Sequence, residues 1–206
     1  MRRLLVLAVA AALVPVAAAG GVRPAPTPRH GAAPWRAPAD PLVRARAAGL
    51  RPERQESFLH HVHAHLDVYV NGVHERVPAA VGIDVHDPDV RVFPLPDGTK
   101  AYGGIAECAK ACISPLHTHD DTGILHTESA SPVPNRLGQF FVEWGVRLDR
   151  RCVGGYCRPT SIRVYVNGKP FTGDPRTIEL TNHEEIAIVI GTPPKRIPKK
   201  ADFSQA

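Results

Sequence analysis

The sequence predicts a mostly-β chain of antiparallel hairpins arranged as a sandwich, with one packed amphipathic helix and one short N-terminal helix. Three observations carry this. Apolar and polar residues alternate through residues 57–71 (SFLHHVHAHLDVYVN) and again through 116–129 (LHTHDDTGILHTES), the period of a half-buried strand. The pentapeptide VYVNG occurs twice, at 68–72 and 164–168, and Asn-Gly between strands is a strong hairpin signal because both turn residues must accept positive φ. A long helical stripe is confined to 135–149.

Taken in order, residues 1–19 read as a secretory signal. Arg2 and Arg3 form its charged start, 4–14 its apolar stretch, and Ala17, Ala18 and Ala19 its small-residue cleavage site. The twin arginine lacks the rest of a Tat pattern, so Sec export is expected. An uncleaved anchor is the alternative, opposed by Pro15 and by the shortness of the run. The mature chain is therefore expected outside the cytoplasm, without a later membrane span. Residues 20–39, rich in Pro, Ala and Arg, read as a disordered linker. Residues 40–192 form the single mostly-β domain, and 193–206 a basic tail.

The domain opens with a short helix, Asp40 as its N-cap, Pro41 in its first turn and Gly49 as its stop. In the strand that follows, Val62, Ala64, Leu66, Val68 and Val70 form an apolar face, and His61, His63, His65, Asp67 and Tyr69 the opposite one. Strands are expected after each Asn-Gly, at 74–77 and 170–172. The repeat is either a duplication or the recurrence of a common hairpin sequence. In the long helix, Leu137, Phe140, Phe141, Trp144 and Leu148 share one stripe, with Asn135 placed to cap its start. That stripe reads as a core anchor, with the wall of a ligand pocket as the alternative. Residues 185–191 (EIAIVIG) form a late strand apolar enough to be central.

The formal net charge is +5, yet residues 57–192 hold 12 Lys and Arg against 16 Asp and Glu, a net of −4. The positive charge lies in the flanks. This argues against nucleic acid as a partner and leaves weak contact of the basic tails with wall polymers or a membrane surface. Simple solvation of those tails is the blander alternative.

Four cysteines in an exported chain imply two disulfides, in one of three connectivities. Cys152 with Cys157 is favoured because VGGY between them turns tightly, leaving Cys108 with Cys112. A helix over 109–111 would oppose that second bridge. A soft copper site on Cys108 and Cys112 is the alternative.

The histidines are the most informative feature. Seven of the eleven fall in the two alternating stretches. With Asp121 and Thr122 at the turn centre, His119 faces Ile124 and His117 faces His126, so His117, His119 and His126 share one face of one hairpin. That is an all-imidazole ligand set for Cu or Zn. His63 and His65 are the expected additions from the other strand. Asp67 or Glu128 would orient a ring from behind. Three readings follow: a metal-binding protein; a metal-dependent, hydrolase-like enzyme in which Glu128 or Asp121 serves as general base to a metal-activated water; and an interaction domain whose histidines merely face solvent.

Several blocks together resemble an uncharacterised family of secreted actinobacterial proteins with more distant archaeal relatives. They are HVHAHLDVYVNG (61–72), VPAAVGID (77–84), ISPLHTHDDTGILHTES (113–129), LGQFFVEWGVRL (137–148), CVGGYC (152–157) and RVYVNGKP (163–170). The resemblance implies that His61, His63, His65, His117, His119 and His126 belong to a shared pattern, and it implies no activity. It is weakest over 90–111, so it adds nothing to the Cys108 and Cys112 assignment. Three better-known metal motifs fail. His117, His119 and Asp121 match the start of the metallo-β-lactamase pattern, but Thr122 stands where its next His belongs. Amidohydrolase-type barrels also open on sequences like LHTHD, but need repeated βα units. The cupin pattern needs a Glu where Thr122 or Gly123 stands.

Overall fold

The structure is a computed structural model that describes residues 36–204. The expected signal peptide and most of the expected linker lie outside the described residues. In chain order the elements are α1 (Pro41–Ala47), β1 (His60–Val70), β2 (Val73–Glu75), β3 (Arg91–Pro94), β4 (Lys100–Gly103), β5 (Leu116–His117) and β6 (Ile124–Ser129). They continue with α2 (Leu137–Trp144), β7 (Cys152–Val153), β8 (Tyr156–Cys157), β9 (Ile162–Val166), β10 (Lys169–Phe171) and β11 (Glu184–Ile190).

β1 is the axis of the fold. A seven-stranded sheet runs β10-β9-β11-β1-β6-β5, with β2 also on β1. Alternation over 61–70 supports a strand of eleven residues, long enough for β1 to serve several partners. β11 pairs along one edge from Ala64 to Val70; on the other, β6 covers His60 to His65 and β2 covers Val68 to Val70. Both Asn-Gly turns form hairpins as predicted, with Asn71 at φ 51° and Asn167 at φ 51°. Their second strands start at Val73 and Lys169, directly after the turn and one residue earlier than expected. The 185–191 segment is indeed central, between β9 and β1. Its pairing with β1 is parallel, which no hairpin signal announces.

Ala64, Leu66 and Val68 share one core with Ile186, Ile188 and Ile190 of β11 and with Leu137, Phe140, Phe141 and Trp144 of α2. Burying each large side chain contributes about 1.5–3 kcal/mol. The aromatic stripe is thus a core anchor. Helices, rather than a second sheet, lie on this face. Among the described residues the other sheets are the two-stranded ribbons β3–β4 and β7–β8, so a two-sheet sandwich is not confirmed.

Two helix boundaries differ from expectation. α2 stops at Gly145, whose φ of 74° ends the helix, and Leu148 stays buried outside it. Asn135 does not cap the helix. Its Nδ2 donates to the Pro115 carbonyl and to Thr127 Oγ1, while the Arg136 N–H donates to Gln139 Oε1. At α1, Asp40 stands at the expected N-cap position, but its side chain ion-pairs with Arg44 at 2.9 Å instead of accepting from a backbone N–H.

Both favoured disulfides are present, Cys152–Cys157 across the β7–β8 ribbon and Cys108–Cys112 with Cα atoms 6.3 Å apart. Residues 109–111 are not helical, which removes the objection to the second bridge. The soft copper alternative falls, because bonded sulfurs are not thiolates. Through residue 204 the basic tail stays against the surface. It passes Gly72 and Gly168, and Phe203 stacks on His183 at 4.7 Å. No helix of the described residues is long and apolar enough to cross a membrane.

Candidate metal centre

The polar face of β1 and the facing side of β6 meet in one register. His61 lies opposite Glu128, His63 opposite His126, and His65 opposite Ile124. β5 adds His117 opposite His126, the pairing predicted from the hairpin. The turn between β5 and β6 is held by Asp120, whose Oδ1 accepts from the Thr122 N–H, and by Gly123 at φ 94°. A side chain at 123 would begin 2.7 Å from the Leu66 carbonyl, so only glycine lets the turn close onto β1. His119 lies beyond β5, outside the regular ladder, yet its ring returns to the group.

Two overlapping sets of ligand atoms result. His117, His119, His126 and Glu128 offer atoms within 4.8 Å of one another, and so do His61, His63, His126 and Glu128. Glu128 is the hub. Its Oε1 lies 3.3 Å from His126 Nδ1, 3.4 Å from His61 Nε2 and 3.7 Å from His119 Nε2, and its Oε2 lies 4.0 Å from His117 Nε2.

Hydrogen bonds outside the cluster decide how the rings of His117 and His119 present themselves. His117 Nδ1 lies 2.8 Å from the Ser114 carbonyl, and His119 Nδ1 makes a short contact with the Tyr102 carbonyl. A carbonyl can only accept, so each Nδ1 carries the proton. In the neutral rings both Nε2 atoms are then bare lone pairs, and they face each other at 3.3 Å. Gly103 makes room for this. A Cβ there would stand 2.7 Å from His119 Nδ1.

The electrostatics agree with a buried imidazole–carboxylate cluster. Burial and the neighbouring His119 hold His117 well below the ordinary histidine pKa. Burial, His126 and His61 pull His63 down to about 4. Burial opposes charge on His119, but the Glu128 carboxylate and the Tyr102 carbonyl outweigh it and raise its pKa. Burial likewise lowers His126, with Glu128 opposing. For Glu128 burial works against ionisation, and the His119 and His126 imidazoles beside it overcome it, leaving a carboxylate far below the usual range.

The other expected residues go elsewhere. His65 is not brought to the cluster. Its Nδ1 lies 2.9 Å from Glu185 Oε2 and its Nε2 2.9 Å from the Thr122 carbonyl, so both ring nitrogens are engaged. It groups with Asp67 and Glu185 instead. Asp67 orients no cluster ring: its Oδ1 pairs with His74 Nε2 at 2.7 Å, and the Tyr69 hydroxyl donates to its Oδ2. Burial, with Asp67 beside it, pushes the Tyr69 hydroxyl up to about 12. Asp121 is paired with Arg76 at 2.6 Å. His61 was missed as a ligand candidate, although period-two alternation already put it on the face of His63.

The cluster lies at one side of a cleft of about 630 Å³, whose other walls include Phe58, Phe93, Leu95 and Tyr102. A cavity of about 700 Å³ at β9 and β10, with Arg150, Arg151, Arg158 and Arg163 in its lining, shares no residue with it. No protein-family model, curated protein or solved structure matches this chain.

Proposed function

We propose that the chain is an extracytoplasmic metal-binding protein whose centre, built on His117, His119, His126 and Glu128, takes Cu(II) or Zn(II). The observation that carries this is the opposed pair of Nε2 atoms. Two imidazoles bound tetrahedrally to one ion at about 2.0–2.1 Å have their nitrogens about 3.3–3.4 Å apart. His117 and His119 stand at 3.3 Å, with both Nδ1 protons directed to backbone carbonyls. Without a cation, or a proton on His119 in its stead, two lone pairs and a carboxylate would confront one another. Carbonyls behind ligand histidines fix tautomer and orientation in the same way at known metal sites. The two disulfides and the charge pattern fit an exported protein.

Elemental analysis of the untagged chain after exposure to copper and zinc tests this. At least about one tightly held equivalent is expected, and less than roughly a tenth would end the idea.

The cleft favours a second reading, a metal-dependent hydrolase-like enzyme, because an ion reached from a cleft can hold a reactive water. Glu128 would then be a ligand rather than the base. Glu56, on the cleft wall beside His119 with Oε1 buried and unpaired, is the better-placed carboxylate. Zinc-loaded protein assayed on activated esters and phosphodiesters is the check. Hydrolysis that His119→Ala does not abolish would speak against this reading.

A further inference from the structure

We propose that the centre holds two metal ions side by side, bridged by the Glu128 carboxylate, with His117 and His119 on one ion and His61 and His63 on the other. This rests on the metal-binding reading above and extends it. The first argument is reach. Donors to one ion at about 2.1 Å can lie at most about 4.2 Å apart. The six side chains do not form one group within even 4.8 Å; they form two groups of four that share only His126 and Glu128.

The second argument is the carboxylate. Glu128 sits between the groups with its side chain 4% exposed, one oxygen toward His61, His119 and His126 and the other toward His117. Oε1 faces both groups, His119 in one and His61 in the other, so a carboxylate oxygen shared between the ions fits a two-metal spacing of about 3.5–4 Å. The third argument is unsatisfied polarity. His63 Nε2, His126 Nδ1 and Glu128 Oε2 are buried without a well-formed hydrogen bond. Buried polar atoms of a native site normally have partners, and three orphans in one place mark where a ligand belongs. His63 belongs to the second group alone, so one ion on His117 and His119 would leave its buried Nε2 unpartnered. His126 stands on the border and supplies its nitrogen to one ion or the other.

The ladder explains why the second pair is His61 and His63. Opposite residues on paired strands share a face at about 5 Å. β6 presents Glu128 and His126 in succession, and β1 answers with His61 and His63. The next step in the row is Ile124 against His65, which closes the site with an apolar side chain.

The test uses the full untagged chain, stripped with a chelator and dialysed against Cu(II) or Zn(II), with bound metal counted by elemental analysis. The wild-type chain is expected to hold about two equivalents, and His61→Gln with His63→Gln about one. The copper form should give the electron paramagnetic resonance of an interacting pair, and the double variant that of an isolated ion. One equivalent in the wild type overturns the second ion and leaves the single-ion reading standing, whereas none overturns both. Two equivalents retained in the double variant would place the second ion elsewhere and overturn the proposal. Should the variant misfold by circular dichroism, X-ray absorption of the wild type decides: a metal neighbour at about 3.5–4 Å is required, and its absence refutes the bridge.

Discussion

His63 and His126 stand directly opposite each other across β1 and β6, their ring centroids 4.5 Å apart. The two histidine-rich stretches, 57–71 and 116–129, meet at this pair. His126 also lies opposite His117 on its other flank, so one ring touches both ligand groups.

His126→Ala should therefore be the most damaging single histidine substitution. Loss of a ligand shared by both groups should lower metal affinity by at least about 100-fold, more than loss of an outer partner does. His74→Ala and His86→Ala should leave affinity unchanged. Competition against a chromogenic chelator reads the difference; equal affinities for His126→Ala and His86→Ala would contradict the site.

His65→Ala should separate stability from metal binding. It removes the partner of Glu185, which is 1% exposed. Breaking a buried pair costs about 3–5 kcal/mol, and here about 2–4 is expected because His65 is partly exposed and Glu185 can take up a proton. Urea unfolding should show the loss while metal content stays at the wild-type value. A loss of metal in a folded variant would return His65 to the ligand set.

Gly103→Ala should act chiefly on His119, with Glu56 Oε1 the next atom met, at 3.3 Å. The new methyl would meet Nδ1 at 2.7 Å and Cε1 at 3.0 Å, so the ring must move off its Tyr102 carbonyl. Misplacing one ligand in this way should weaken metal binding by about 10-fold. Calorimetric titration would show it, and unchanged affinity would mean that the ring adapts without cost.

Glu143 sets a pH dependence of stability. It is fully buried on α2, neither oxygen has a hydrogen bond of good geometry, and burial raises its pKa well above the ordinary value, with only Ser114 opposing. The folded protein therefore holds this proton to higher pH than the unfolded chain does. The protonated folded form carries no penalty below the unfolded pKa, and stability declines as pH rises from there toward the folded pKa. Glu143→Gln should abolish that decline. Its melting temperature should exceed the wild type's at pH 8 by more than at pH 4, each 1 kcal/mol being worth about 2–4 °C in a chain of this size. An identical difference at the two pH values would show that Glu143 does not titrate there.

Much of this arrangement is local and was legible in the residues. Alternation through 61–70 separates Ala64, Leu66 and Val68 from His61, His63 and Asp67, and each Asn-Gly closes a hairpin because Asn71 and Asn167 accept positive φ. The turn at Asp120 to Gly123 brings His117 opposite His126 for the same reason. Register between distant strands is a different matter, since period-two alternation is satisfied equally by any shift of two residues. Set over by two, β6 would offer His126 to His65 or to His61. Tertiary structure chose His63, with Gly123 closing onto the Leu66 carbonyl at one end of the ladder. It also laid β11 parallel to β1 across a long connection, which put Glu185 on His65 and took that ring out of the cluster. The Ser114 and Tyr102 carbonyls that set the tautomers of His117 and His119 belong to the backbone. Every residue but proline carries the same two backbone groups, so their positions follow only from the folded path of the chain.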